Sequence, residues 1–195
     1  MRDGKAISKA TKSKYRLASS DRGERVSVRV CYKKKKYTTS CVTSAQGAIA
    51  AKMTTSQSQA VRMAKSYLSY QAFSRSGLIE QLEYEKFSEP DSVFAVDHVG
   101  ASWTDQAVRM AGSYLKFQAF SRSGLIRQLE YEGFTPEDSS NAADHVGANW
   151  AAQAVRMARD YLKFQAFSRS GLISQLEYEG FSAEDAAAAA DAVGL

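Results

Sequence analysis

The tetrapeptide Ser-Arg-Ser-Gly occurs three times, beginning at Ser74, Ser121 and Ser168, and each copy runs straight into Leu-Ile. A serine ahead of an apolar periodic segment can cap a helix, its oxygen accepting a backbone N–H that no helical carbonyl reaches. The arginine is surplus to capping. Arg75, Arg122 and Arg169 each offer a planar donor fork suited to a carboxylate or phosphate on a partner, and they are candidate partner-binding residues. Arg62, Arg109 and Arg156 form a second thrice-repeated set of candidate partner-binding residues, on the polar side of a long helix. There, solvation or an ion pair with Glu83, Glu85 or their copies Glu130, Glu132, Glu177 and Glu179 is the plain expectation.

Two acids per copy could suggest general acid–base work, but a reaction centre gathers unlike groups into one pocket, whereas a triplicated surface shows the same groups at intervals. No catalytic residue is expected, and the chain reads as a non-enzyme. His98 and His145 share a position that Ala192 takes in the third copy, so an end-of-helix role, favourable for a cation, is sufficient. Cys31 and Cys41 lie far from both histidines and give no zinc-ligand spacing, so neither metal nor cofactor is expected.

These residues belong to a longer repeat. Gln59-Ala60-Val61-Arg62-Met63-Ala64 returns as residues 106–111 and again as 153–158, a period of 47 residues. Such a period marks a tandem array of one supersecondary unit, and units this small lean on their neighbours. Each copy reads as three helices. Ser56 can cap a long helix reaching about Phe73, with Ala60, Met63, Ala64, Tyr67 and Leu68 on one face. Leu78, Ile79 and Leu82 form the buried side of a second helix, which stops near Gly133 and Gly180 in the later copies and at Lys86 in the first. Phe87, Phe134 and Phe181 follow as anchors, and Ser88, Thr135 and Ser182 open a third helix, with Pro136 at a first helical position.

Val99-Gly100 and Val146-Gly147 end the third helices, and Ser102 and Asn149 cap the next long ones. Trp103 and Trp150 occur only between copies and read as apolar mortar. Tyr67, Tyr84 and their copies read as core and rim. The fold class is therefore mainly α: three tandem 47-residue three-helix, helix-turn-helix-like repeats at 53–100, 101–147 and 148–195, preceded by a small basic β-hairpin or β-sheet region at 1–52.

Charge divides at the same boundary. The net +5 splits into +11 over residues 1–52 and −6 over 53–195. A basic arm of this kind meets nucleic acid, anionic lipid or an acidic protein face. Residues 1–20 read as loosely ordered. Val26, Val28, Val30 and Tyr32 alternate with polar residues as in a half-buried strand, and a lysine run, Lys33–Lys36, separates them from a second strand-favouring stretch at Tyr37–Val42. If Tyr32 faces Tyr37, Cys31 and Cys41 fall on opposite faces, and no disulfide joins them. Ser44–Lys52 reads as a short helix, with Tyr15-Arg16-Leu17 a third strand. Arg29, Lys33, Lys34, Lys35 and Lys36 are candidate contacts for nucleic acid or another anionic surface.

Tyr114-Leu115, Ala119 to Ile126, Gln128 to Phe134 and Ala143 to Trp150 closely resemble the repeat of the Ltp family, the host cell surface-exposed lipoproteins of phages and Gram-positive bacteria. The resemblance covers residues 56–195. It implies tandem helix-turn-helix-like repeats and superinfection exclusion, in which a non-enzymatic protein engages a component of an injecting phage and interferes with DNA entry. It also implies a lipid-bearing cysteine behind an apolar signal segment. Here Thr38-Thr39-Ser40-Cys41 follows a lysine run, so the sequence as written points to the cytoplasm. Val26–Tyr32, Lys33–Lys36 and Thr43-Ser44-Ala45 faintly resemble the small sheet-plus-helix DNA-binding module ahead of some phage integrases. A protein partner is the leading expectation, and nucleic-acid binding through residues 1–52 is the alternative.

Overall fold

Helical period and strand alternation meet at the boundary between two compact units, Met1–Thr54 and Thr55–Leu195. The computed structural model describes residues 1–48 and 53–195.

In the first unit, β1 (Arg25–Val26) pairs antiparallel with β4 (Gly47–Ala48), and β2 (Arg29–Tyr32) pairs antiparallel with β3 (Ser40–Thr43). The hairpin forms, but its loop is longer than the lysine run alone. Residues 33–39 all lie outside the ladder, so Tyr32 opposes Ser40 and Cys31 opposes Cys41. Directly opposed residues share a face of a sheet. Cys31 and Cys41 accordingly form a disulfide, which corrects the register expected with Tyr32 facing Tyr37.

Two further expectations for this unit are corrected. Residues 44–48 contain β4 and no helix, because glycine and alanine there pair with β1; residues 49–52 of the expected helix lie outside the described residues. Tyr15-Arg16-Leu17 has no strand partner. Tyr15 instead donates its hydroxyl to Asp21 at 2.8 Å. Arg2 Nε and the Ala18 N–H donate to the same buried carboxylate, at 2.8 and 2.7 Å. A buried charge is tolerable only with such partners, and they tie residues expected to be loose into the unit. The Ala18 N–H above all, then Arg2 and Tyr15, hold the Asp21 carboxyl below its ordinary range.

The second unit is helical throughout. The first repeat contains α1 (Thr55–Tyr70), α2 (Arg75–Tyr84) and α3 (Glu89–His98); the second, α4 (Trp103–Phe117), α5 (Arg122–Tyr131) and α6 (Pro136–His145); the third, α7 (Trp150–Phe164), α8 (Arg169–Tyr178) and α9 (Ala183–Ala192). In each, the third helix packs on both of the others. The caps arise from local chemistry: Ser74, Ser121 and Ser168 accept from Gly77, Gly124 and Gly171 N–H, and Ser88, Thr135 and Ser182 accept from Asp91, Asp138 and Asp185 N–H. Ser56 is not a cap. It lies inside α1 and donates to Asp91 at 2.5 Å, and α1 stops at Tyr70 because Ser74 must be extended to cap α2.

Each repeat buries its own core. Leu78 and Leu82, Leu125 and Leu129, and Leu172 and Leu176 are fully buried, facing alanines such as Ala60, Ala107 and Ala154 that let helices approach closely. Truncating one such leucine to alanine costs about 2–5 kcal/mol. Trp103 packs against the core of the first repeat and Trp150 against that of the second, so each tryptophan carries apolar surface across a junction.

Candidate functional site

The Ser-Arg-Ser-Gly element is the joint of the array. Ser74 caps α2 and also donates its hydroxyl to the Glu132 carbonyl of the next repeat at 2.5 Å, while Ser76 donates to the Gly133 carbonyl at 3.1 Å. Ser121 and Ser123 repeat both bonds to Glu179 and Gly180, at 2.6 and 3.2 Å. Gly133 and Gly180 have φ of +86° and +95°, and a Cβ on either would lie 2.2 or 2.1 Å from the serine hydroxyl of the preceding repeat. Glycine is thus required twice over, by the left-handed backbone and by the approach of the joint.

The arginines of this element work inside their own repeats. Arg75 grips Asp97 at 2.6 Å, Arg122 grips Asp144 at 2.6 Å and Arg169 grips Asp191 at 2.6 Å, tying the start of each second helix to the end of each third. Both partners stay substantially exposed, so each pair contributes less than about 1 kcal/mol.

The second arginine set has a different geometry. Arg109 donates to the Leu68 carbonyl at 2.9 Å, and Arg156 donates to the Leu115 carbonyl at 2.6 Å, each reaching the C-terminal end of the preceding repeat's long helix. That end carries the negative pole of the helix, so a cation there is favourable. Arg62 is exposed and, among the described residues, grips no such carbonyl. The acids are not the arginines' partners: Glu85, Glu132 and Glu179 accept hydroxyl hydrogen bonds from Tyr67, Tyr114 and Tyr161. The tyrosine pKa values are raised, by the Glu85 hydrogen bond first at Tyr67 and by burial first at Tyr114 and Tyr161.

What the sequence reading missed is aromatic. Tyr70, Phe117 and Phe164, at the ends of the three long helices, are 84 to 87% exposed. Tyr84, Tyr131 and Tyr178, at the ends of the three second helices, are 74 to 86% exposed. Tyr67 and its copies do lie against the core, stacking edge-on to Phe73, Phe120 and Phe167. Tyr84 and its copies do not. Isolated exposed aromatics need no explanation, but here two kinds recur in every repeat. Their 47-residue recurrence was visible, yet a tyrosine near an apolar stripe reads as rim until the helix rotation is known.

Beside Tyr70, at the first junction, a groove of about 460 Å³ is lined by Gln71, Val108, Arg109, Lys116 and Val146. Gly112 opens it, where the other copies carry Lys65 and Arg159. In the first unit, Arg29 and Lys33–Lys36 are all exposed on the hairpin and its loop, and Lys34 lies over the Tyr37 ring at 5.3 Å.

Fold and site together define a tandem helical-repeat protein with latched joints and repeated exposed aromatics. The chain belongs to the family of host cell surface-exposed lipoproteins, whose repeat matches residues 55–99, 102–146 and 149–193. Among solved structures, it is similar to Ltp, a superinfection exclusion protein from the Streptococcus thermophilus temperate phage TP-J34. The identity is 29%, the match covers 48% of this chain and 98% of that one, and the TM-score is 0.47. Comparison with curated proteins gave no match. Among the described residues, no helix is long and apolar enough to cross a membrane.

Proposed function

We propose that the protein acts in superinfection exclusion: its repeat array binds a protein component of an incoming phage and obstructs DNA entry, without catalysis. Membership of the family over all three repeats carries this reading. The exposed aromatics supply the contacts, since tyrosine and phenylalanine bring large area at little entropic cost. The Cys31–Cys41 disulfide and the family's surface exposure favour action outside the reducing cytoplasm.

The test is phage challenge of cells displaying the full-length protein at their surface. Wild type lowers plaque formation, and Tyr84→Ala/Tyr131→Ala/Tyr178→Ala, with equal surface level and thermal stability, protects at least tenfold less. Absence of protection by wild type sinks the functional reading. Undiminished protection by the triple variant sinks only the assignment of contacts.

A second reading rests on one observation, the exposed run Lys33–Lys36 on a covalently closed hairpin: the first unit contacts an anionic polymer such as nucleic acid. Such binding weakens steeply with salt as counterions are released. Absence of a mobility shift with the full-length protein rules it out, and a shift unaffected by replacing all four lysines with alanine rules out only the assignment of contacts.

A further inference from the structure

The two faces that meet at each joint are also present at the outer sides of the first and third repeats, with two substitutions. On the third repeat, Ser168 caps α8 through Gly171 at 3.1 Å and stands 3.4 Å from Ser170, as Ser74 stands 3.3 Å from Ser76. Unlike Ser74 and Ser121, both Ser168 and Ser170 are exposed, and neither hydroxyl reaches a carbonyl of another repeat. The Leu162 carbonyl, counterpart of those gripped by Arg109 and Arg156, likewise carries no arginine.

The first repeat has the complementary side. The backbone at Glu85-Lys86-Phe87 follows that at Glu132-Gly133-Phe134: Lys86 N–H donates to Glu83 and Phe87 N–H to Leu82, as Gly133 donates to Glu130 and Phe134 to Leu129. Lys86 keeps the left-handed φ, +70°. Arg62 is free to reach a helix end. Two positions differ from both internal joints: Lys86 stands where they have glycine, and Ser56 where they have Trp103 or Trp150.

We propose that the first repeat is built as a stop. A second copy of this chain would otherwise fit the open Ser168–Gly171 face by the geometry of the internal joints, and Lys86 prevents it. A Cβ at this position falls about 2 Å from the incoming serine hydroxyl, judged from Gly133 and Gly180. Ser56 removes the apolar mortar. A face that joins head to tail without closing produces open fibres, so a stop at one side keeps the chain single. The strained lysine exists because its side chain, rather than its backbone, is what the position needs.

Sedimentation of the full-length protein over a concentration series tests this. Wild type sediments as a monomer throughout. K86G/S56W shows a weight-average mass that rises at least twofold with concentration, and adding S170K, which overfills the open face while the Gly171 N–H still donates to Ser168, restores the monomer. K86G alone, which removes a strained residue and so keeps the fold, shows the same trend at higher concentration. The proposal fails if K86G and K86G/S56W stay monomeric with helical circular dichroism intact. It also fails if S170K does not reverse their association, or if wild type itself associates through this face.

Discussion

Ser92 and Ser139 are buried in the third helices of the first two repeats, and neither hydroxyl has a hydrogen-bond partner among the described residues; the third repeat has Ala186 at that position. A buried, unsatisfied hydroxyl costs free energy that alanine does not, and alanine is also the better helix former. Ser139→Ala should therefore stabilise by about 1 kcal/mol, read from the denaturation midpoint, and a loss of stability would show that the hydroxyl has a partner after all. Tyr67, Tyr114 and Tyr161 give a pH dependence. Their folded pKa values lie above those of the unfolded chain, so their contribution is complete below about pH 10 and disappears as pH rises through the folded values. The melting temperature should fall above pH 10, and replacing all three by phenylalanine should flatten that fall.

At the scale of elements, glycine is favoured at the same left-handed position of two repeats, but by different amounts. Gly133→Ala places a side chain in a left-handed conformation and drives its Cβ onto Ser76, so a loss of about 2 kcal/mol or more is expected. Lys86→Gly relieves the same backbone strain with no serine opposite and should gain about 1 kcal/mol. Chemical denaturation of the two variants decides between this account and one in which glycine matters only as a left-handed helix stop, where the loss at Gly133 would be no larger than the gain at Lys86. The three-helix repeats and every cap but that of the first long helix were legible because capping and amphipathic period are written within a dozen residues. The joint was not. Nothing local to Ser74 and Ser76 says that their hydroxyls meet carbonyls 58 and 57 residues away, and nothing local to Arg109 separates a solvated arginine from one gripping the previous helix.

Across the whole molecule, two units of opposite charge respond to different insults. Reducing Cys31–Cys41 removes a cross-link that closes a short loop, worth about 2–3 kcal/mol to the first unit, while the second unit contains no cysteine. Reductant should therefore open amide exchange in residues 25–48 and leave protection in residues 55–195 unchanged; loss of protection in both would mean that the units fold together. The repeats themselves should share stability through their joints, as nearest-neighbour stacks do.

Sequence alone determined the number of repeats, their helices, their capping residues other than that of the first long helix, and the family, because each depends on residue type and spacing along one stretch of chain. Tertiary structure alone decided the pairing of the cysteines, the use of every arginine of the two sets except Arg62 as an internal clamp, and the outward turn of Tyr84 and its copies. Those outcomes depend on strand register and on how helices are rotated against their neighbours, and both are settled by packing between residues distant in the chain.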